Sequence, residues 1–161
     1  MALIKNGELA DDSFVFVDDD AALPPNGAVI VGLALWQTSR EDLLQRSEAI
    51  GLVLKSDQPP ELIGDGLQQL AVIALEFPAF RDGRAYSYAR LLREKYDFRG
   101  ELRAVGDVLL EQLHFMVRTG FDAFDIQSDD SLADFEVAAA LDIDIDTQSD
   151  AIARALAPTK G

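Results

Sequence analysis

The sequence predicts an α/β domain with a mainly parallel sheet of about five strands flanked by helices, plus a small N-terminal antiparallel hairpin. Short apolar runs of strand length alternate with stretches of helical spacing, which is typical of β–α units. A length of 161 residues with 48% hydrophobic content fits a single core. The dipeptide Asn6-Gly7 favours a two-residue hairpin turn. Together these features indicate one domain.

The domain is predicted to span residues 1–161 in three parts. Residues 1–27 form the hairpin and a linker, 28–126 the β–α core, and 127–161 a C-terminal helix and acidic tail. Within the first part, residues 3–5 and 8–9 pair across Asn6-Gly7, and residues 14–17 add another strand to this antiparallel element. Pro24 and Pro25 then hold the linker extended.

The core alternates strands with helices. We predict strands at residues 28–33, 50–55, 70–77, 102–106 and 121–126. We predict helices at residues 39–49, 60–67, 83–96, 108–119 and 131–141. Ser39 is the expected N-cap of the first helix, and Asp82 the expected cap of the third. Right-handed crossovers would place all carboxyl ends of the strands at one edge, where ligand sites in such sheets collect.

The charge of the chain excludes several partners. A formal net charge of −15 argues against binding nucleic acid or an anionic membrane. Seven of the 14 basic residues nevertheless lie within residues 81–103, which we call the basic segment. The sequence contains no long apolar run, so we expect a soluble cytoplasmic protein. Homo-oligomers are compatible with the sequence.

The sequence contains no complete motif for a metal or a cofactor. The chain has no cysteine and one histidine, His114, which we interpret as structural. Asp142, Asp144 and Asp146 resemble the start of a calcium loop, but its glycine and glutamate positions hold Thr147 and Ala153. Dinucleotide, phosphate-loop and nucleophile-elbow motifs are absent from the sequence. We therefore predict no metal site and no cofactor.

One part of the sequence stands out. It comprises EFPAFRDGRAYS at residues 76–87, ARLLR at 89–93, RGELRAVGDV at 99–108, and Gln112. These segments resemble the signature of a bacterial family of unknown function, commonly labelled as probable oxidoreductases involved in sulfite reduction. The resemblance implies partners among sulfite-reductase or sulfonucleotide-reductase components, because the label rests largely on neighbouring genes.

The same segment has a physical interpretation. A strand that ends at Glu76 and leads into a helix at Asp82, Gly83 and Arg84 aims amides and a guanidinium at the carboxyl edge of the sheet. Such a place suits an oxyanion, such as sulfite, sulfate or a phosphosulfate group. Alternatively, Asp82 caps the helix and Arg84 forms an ion pair, for stability alone.

Arg103 is predicted in a central strand, on the same face as Asp107. A charge there requires a partner. One interpretation is an ion pair with a neighbouring carboxylate such as Glu76. The other is one polar pocket that combines Glu76, Arg103 and Asp107 with Arg84.

Two functional hypotheses follow. In the first, the domain is a non-catalytic accessory or regulatory protein of assimilatory sulfite reduction that docks on a partner or binds an oxyanion. In the second, it is a small enzyme acting on a sulfur oxyanion or sulfonucleotide, with Glu76 or Asp107 as general acid or base and Arg84 positioning the anion. The first is favoured by the missing cysteine, metal and nucleotide motifs. The predicted anion- or partner-binding residues are Arg81, Asp82, Gly83, Arg84, Arg90 and Arg103.

Overall fold

A computed structural model of the chain describes residues 2–78, 83–108 and 112–126. They form a mixed α/β domain in which one eight-stranded sheet is combined with three helices. The strands are β1 (Ala2–Lys5), β2 (Glu8–Ala10), β3 (Val15–Val17), β4 (Val29–Gly32), β5 (Ile50–Leu54), β6 (Val72–Phe77), β7 (Glu101–Gly106) and β8 (Ala123–Ile126). The predicted C-terminal helix and acidic tail, residues 127–161, lie outside the described residues.

The sheet is larger than predicted. Its strand order is β2-β1-β8-β7-β6-β5-β4-β3, in which β3 to β8 are parallel and β1 is antiparallel to both β8 and β2. The five predicted core strands are present as β4 to β8, with ends within two residues of the prediction. The prediction of about five strands with a separate hairpin was wrong because β1 pairs with β8 and so joins the hairpin to the sheet, while β3 adds a strand at the other edge.

The hairpin itself is confirmed. Asn6 and Gly7 have φ values of 54° and 83°, the conformation that a tight two-residue turn requires. The prediction that residues 14–17 add a strand to this antiparallel element was wrong. The observed strand β3 pairs in parallel with β4 at the opposite edge of the sheet, since its apolar residues extend the β–α sheet rather than the hairpin.

The sheet is strongly curled. In a flat sheet the seven steps from β2 to β3 would cover about 34 Å. The chain from Ala10 to Val15 has only five residue steps, which reach about 18 Å at most. The two edge strands therefore approach each other, and the short connection between them bridges the gap. We call this connection, residues 11–14, the strap.

The first helix differs from prediction at both ends, since residues 45–49 also lie outside it. Helix α1 (Leu33–Leu44) begins six residues before the predicted N-cap Ser39, which instead lies at a kink with φ −124° and ψ 24°. The prediction was wrong because Leu33, a buried residue of the helix, follows an apolar run and was assigned to the end of the strand at residues 28–33. The carboxylate of Asp19 accepts a hydrogen bond from the amide of Leu35 at 3.3 Å. It thereby satisfies one of the free backbone amides in the first turn of α1.

Of the other predicted helices, the one at residues 60–67 was wrong, the one at 83–96 is confirmed to within one residue at each end, and the one at 108–119 is helical from Leu113. Residues 60–67 contain only a 3₁₀ turn (Pro60–Leu62), followed by a second one (Leu67–Gln69), because Gly64 and Gly66 adopt positive φ between them. Helix α2 (Arg84–Arg90) continues into a π-helical turn (Leu91–Lys95). Helix α3 (Leu113–Thr119) ends at Gly120, which has φ 119°.

The two faces of the sheet have different roles. Leu102 and Ala104 of β7 join the hydrophobic core beneath the helices, on the face that we call convex. Arg103 and Val105 alternate onto the other face, where Arg103 contacts the strap. We call this the concave face because the strap crosses it from edge to edge.

Among the residues that the structure describes, no helix has the length and apolar character needed to cross a membrane.

Candidate functional site

The predicted site residues fall into two groups. Gly83, Arg84 and Arg90 belong to the exposed side of α2, which packs on the convex face. Glu76 and Arg103 point to the concave face, since Glu76 pairs with Val105 in the register of β6 and β7. The sheet thus lies between Arg103 and α2. Arg81 and Asp82 lie outside the described residues.

Arg103 is the centre of an internal ion network. Its side chain is 1% exposed, and its Nε donates to Oε2 of Glu101 at 2.7 Å. Its Nη1 donates to Oδ2 of Asp12 in the strap at 3.2 Å. The ring of Phe14 lies 5.7 Å from the guanidinium carbon. Arg103 is therefore paired with carboxylates, but these are Glu101 and Asp12 instead of the expected Glu76.

The network extends across two neighbouring strands. Lys5 of β1 binds the second oxygen of Glu101 at 3.1 Å. Asp125 of β8 is buried, and burial raises its pKa, with Arg103 acting in the opposite direction and Asp12 reinforcing the rise. The concave face consequently carries several carboxylates around one buried guanidinium.

Arg93, which the sequence placed in the basic segment, has a structural role. It donates to the carbonyl oxygens of Gly120, Phe98 and Gly100 at 2.8–3.0 Å. Its Nη2 also lies 3.6 Å from Oδ2 of Asp122. This side chain ties the end of α2 to the loops before β7 and β8, and so it is not part of an external binding surface.

Asp122 completes that arrangement. Its Oδ1 accepts the amide hydrogen of Leu102 at 2.8 Å. Burial raises the pKa of Asp122 to about 6, although Arg93 and the Leu102 amide act to lower it. The carboxylate is therefore held in a partly desolvated position that costs free energy when it is ionised.

At the carboxyl edge, Gly106 and Asp107 form a tight turn. The amide of Asp107 donates to the carbonyl of Phe77 at 2.7 Å. Gly106 has φ +87°, and a Cβ there would lie 2.6 Å from the Phe77 carbonyl oxygen. Glycine is thus required by the backbone, while the side chain of Asp107 is exposed. Glu76 is half-buried beside this turn.

Helix α2 is anchored at its first turns. Nη2 of Arg84 donates to the Ser56 hydroxyl at 3.1 Å, and the Tyr88 hydroxyl donates to the Ser56 carbonyl at 2.6 Å. The Tyr86 hydroxyl donates to Gln112 at 3.1 Å, while its ring packs edge-on against Phe115. These contacts hold α2 between β5 and α3.

The outward side of α2 contains a shallow groove. Its lining residues are Ser87, Arg90, Leu91, Glu94 and Lys95. We call it the outer groove. Leu91 is 39% exposed. Arg90 and Lys95 form no ion pair within the described part of the chain. π-Helical turns, such as the one that begins at Leu91, are frequent at functional sites.

Metal ligands do not cluster in the described ranges, where no group of three or more histidine or acidic side chains is arranged to hold an ion. His114 is half-buried on α3. Within these ranges the candidate sites are therefore the ion network and the outer groove.

Sequence reasoning missed the partners of Arg103. Glu101 could have been found, because residues two apart in a strand share a face and opposite charges at that spacing can pair. Asp12 could not, since it is 91 residues from Arg103 in the sequence. Only the curl of the sheet brings the strap over β7.

Comparison with known proteins gives one match. A family model described as a bacterial protein of unknown function (DUF934) matches residues 51–154, well over half of the chain. The matched range includes the outer groove and Arg103 but not the strap. No curated protein and no solved structure matches the chain significantly. The chain therefore belongs to the bacterial DUF934 family of unknown function.

Proposed function

We propose that this protein is a non-catalytic accessory or regulatory protein of assimilatory sulfite reduction, which docks on a partner enzyme through the outer groove. The observation that carries the proposal is the exposed Leu91 flanked by Arg90 and Lys95. An apolar centre with a charged rim is the usual composition of a protein interface.

Electrostatics define the partner surface. The chain has a formal net charge of −15, yet the groove contains two cations, Arg90 and Lys95, against one carboxylate, Glu94. Arg93 and Arg103 of the basic segment are directed inward, which leaves Arg90 and Lys95 as outward cations of the groove. A complementary partner would present an acidic rim around an apolar side chain that packs on Leu91.

The sequence supports the proposed link to assimilatory sulfite reduction. The segments at residues 76–93 and 99–108 resemble a signature whose label refers to sulfite reduction. The candidate partners are accordingly sulfite-reductase and sulfonucleotide-reductase components.

The positions of the acidic candidates favour binding over turnover. An enzyme of the kind considered above needs Glu76 or Asp107 next to the anion-positioning Arg84. Glu76 faces the concave side, whereas Arg84 belongs to α2 on the convex side. This separation argues against Glu76 as the general acid or base beside Arg84, and to that extent it supports an accessory role.

The test is direct binding of the purified chain to each candidate partner by biolayer interferometry. The groove variant is Arg90→Glu with Lys95→Glu. A matched control, Arg99→Glu with Arg118→Glu, makes the same change of charge at other exposed cations. We expect the groove variant to weaken binding by about tenfold or more, as expected for loss of interface charges, and the control to bind within about twofold of wild type.

Two results would contradict the proposal. One is that none of the candidate partners binds the wild-type chain. The other is that the groove variant and the control weaken binding equally, since net charge alone would then explain the effect.

A further inference from the structure

We infer that Arg103 is the receptor for a small oxyanion, and that the strap closes this site by placing the carboxylate of Asp12 where the oxyanion would bind. The site lies on the concave face, apart from the outer groove, so it goes beyond the proposed docking function and does not depend on it.

The cost of burying Arg103 is the first argument. A guanidinium that is 1% exposed in the middle of a parallel sheet loses nearly all of its hydration. Buried ion pairs of this kind are often no more stabilising than apolar side chains of similar volume. Stability alone therefore gives little reason for an arginine at this position. Anion binding gives a direct one.

The two carboxylates on Arg103 are held differently, which is the second argument. Glu101 is two residues away on the same strand, with a side chain only 6% exposed, and it is fixed further by Lys5. Asp12 belongs to the strap, and its side chain is 30% exposed. Glu101 is thus a permanent partner of Arg103, and Asp12 is the partner that can be exchanged.

The strap has few other attachments. The amide of Phe14 donates to Asp12 at 3.1 Å, a contact within the strap. Among the described residues, the side chains of the strap contact the sheet through the ion pair of Asp12 and through Phe14, which lies over the same guanidinium. Asp11 and Ser13 are exposed. Release of Asp12 would consequently free the strap over Arg103.

The exchange would keep an anion next to Arg103. A monoanion such as acetate puts the same charge there as the Asp12 carboxylate, and a dianion such as sulfate puts one more negative charge there. Arginine binds carboxylate, sulfate and phosphate oxygens through the same planar donor geometry. The shared chemistry of the ligand is therefore a compact group with two or more anionic oxygens.

The primary test is isothermal titration calorimetry of the full chain, with sulfate and acetate as separate ligands. Asp12→Ala removes the competing carboxylate, so it should bind at least one of the two anions about tenfold more tightly than wild type. Asp11→Ala is the matched control, because it removes a neighbouring exposed carboxylate that does not touch Arg103, and it should behave as wild type. The two anions distinguish a tetrahedral oxyanion from a carboxylate ligand.

A second measurement locates the bound anion. In the Asp12→Ala variant, the NMR signal of the Arg103 Nε–H group should shift as the anion is added. Adding Arg103→Met to Asp12→Ala should abolish the gain in affinity. An affinity that is equal in wild type and Asp12→Ala, or an Arg103 signal that does not move on binding, would overturn the inference. Loss of docking in the groove variant leaves this test unaffected.

Discussion

The basic residues of one sequence segment are used in two opposite ways. Arg103 and Arg93 point inward, where each is bound by carboxylates or carbonyl groups and shielded from water. Arg90 and Lys95 point outward along the groove of α2. The difference teaches that clustering in sequence does not mean clustering in space, because strand and helix periodicities direct neighbouring charges to different faces.

The energetic consequences differ as well. An exposed charge keeps its hydration and contributes little to stability, so it is available to a partner. A buried charge is costly unless it stays paired, so its removal disrupts the fold. Substitutions in the two regions should therefore separate stability from binding.

The largest effect is expected at Arg103. Arg103→Met should lower the free energy of unfolding by about 3 kcal/mol or more, because Glu101 and Asp12 lose their buried partner. Lys5→Met removes the other, 44% exposed cation of Glu101 and should cost less than about 1 kcal/mol. Urea denaturation of both variants checks this contrast.

Equal costs for the two substitutions would contradict the distinction between buried and exposed cations. A further variant tests whether the cost comes from the carboxylates that lose their buried partner. Arg103→Met combined with Glu101→Gln and Asp12→Asn removes Arg103 together with its two carboxylate partners and should recover most of the lost stability.

A smaller effect is expected at Asp122. Its pKa in the folded state is about 6, above the usual 3.8, so the folded protein holds this proton more tightly than the unfolded chain. The resulting stabilisation is fully present below about pH 4 and is lost as the pH rises through 6. Asp122→Asn cannot titrate, and its stability relative to wild type should increase by about 2 kcal/mol from pH 4.5 to pH 7.

Urea denaturation across this pH range measures that change. Asp97→Asn is the control, because Asp97 is 70% exposed. A constant difference between Asp122→Asn and wild type at all pH values would show that Asp122 is not desolvated as the contacts indicate.

The smallest effect is expected in the outer groove. Arg90→Ala with Lys95→Ala should change the free energy of unfolding by less than about 0.5 kcal/mol, since both side chains are exposed and lack ion pairs within the described residues. Thermal unfolding monitored by circular dichroism checks this. A loss above about 1 kcal/mol would place these residues in the fold rather than in a docking surface.

Local pattern was sufficient for much of the fold. The alternation of apolar runs with helical spacing predicted β4 to β8, and Asn6-Gly7 predicted the hairpin turn. These elements depend on residues that are close in sequence. The start of α1 was missed at Leu33 because a short apolar run fits a strand end and a buried helix equally well.

The candidate site was only partly predictable. The sequence showed that Arg103 needs a carboxylate partner, because a charge in a central strand must be paired. Which carboxylate it binds was decided by the tertiary structure. The five-step connection from Ala10 to Val15 forces the sheet to curl, and that curl lays Asp12 over β7.

The amino-acid sequence by itself thus determined the positions of β4 to β8, the hairpin turn, and the concentration of cations between residues 81 and 103. Only the tertiary structure decided that Arg103 faces the strap while Arg90 faces solvent. The physical reason is that periodicity sets the side on which a residue lies within its own element, whereas strand order and curvature set what that side meets.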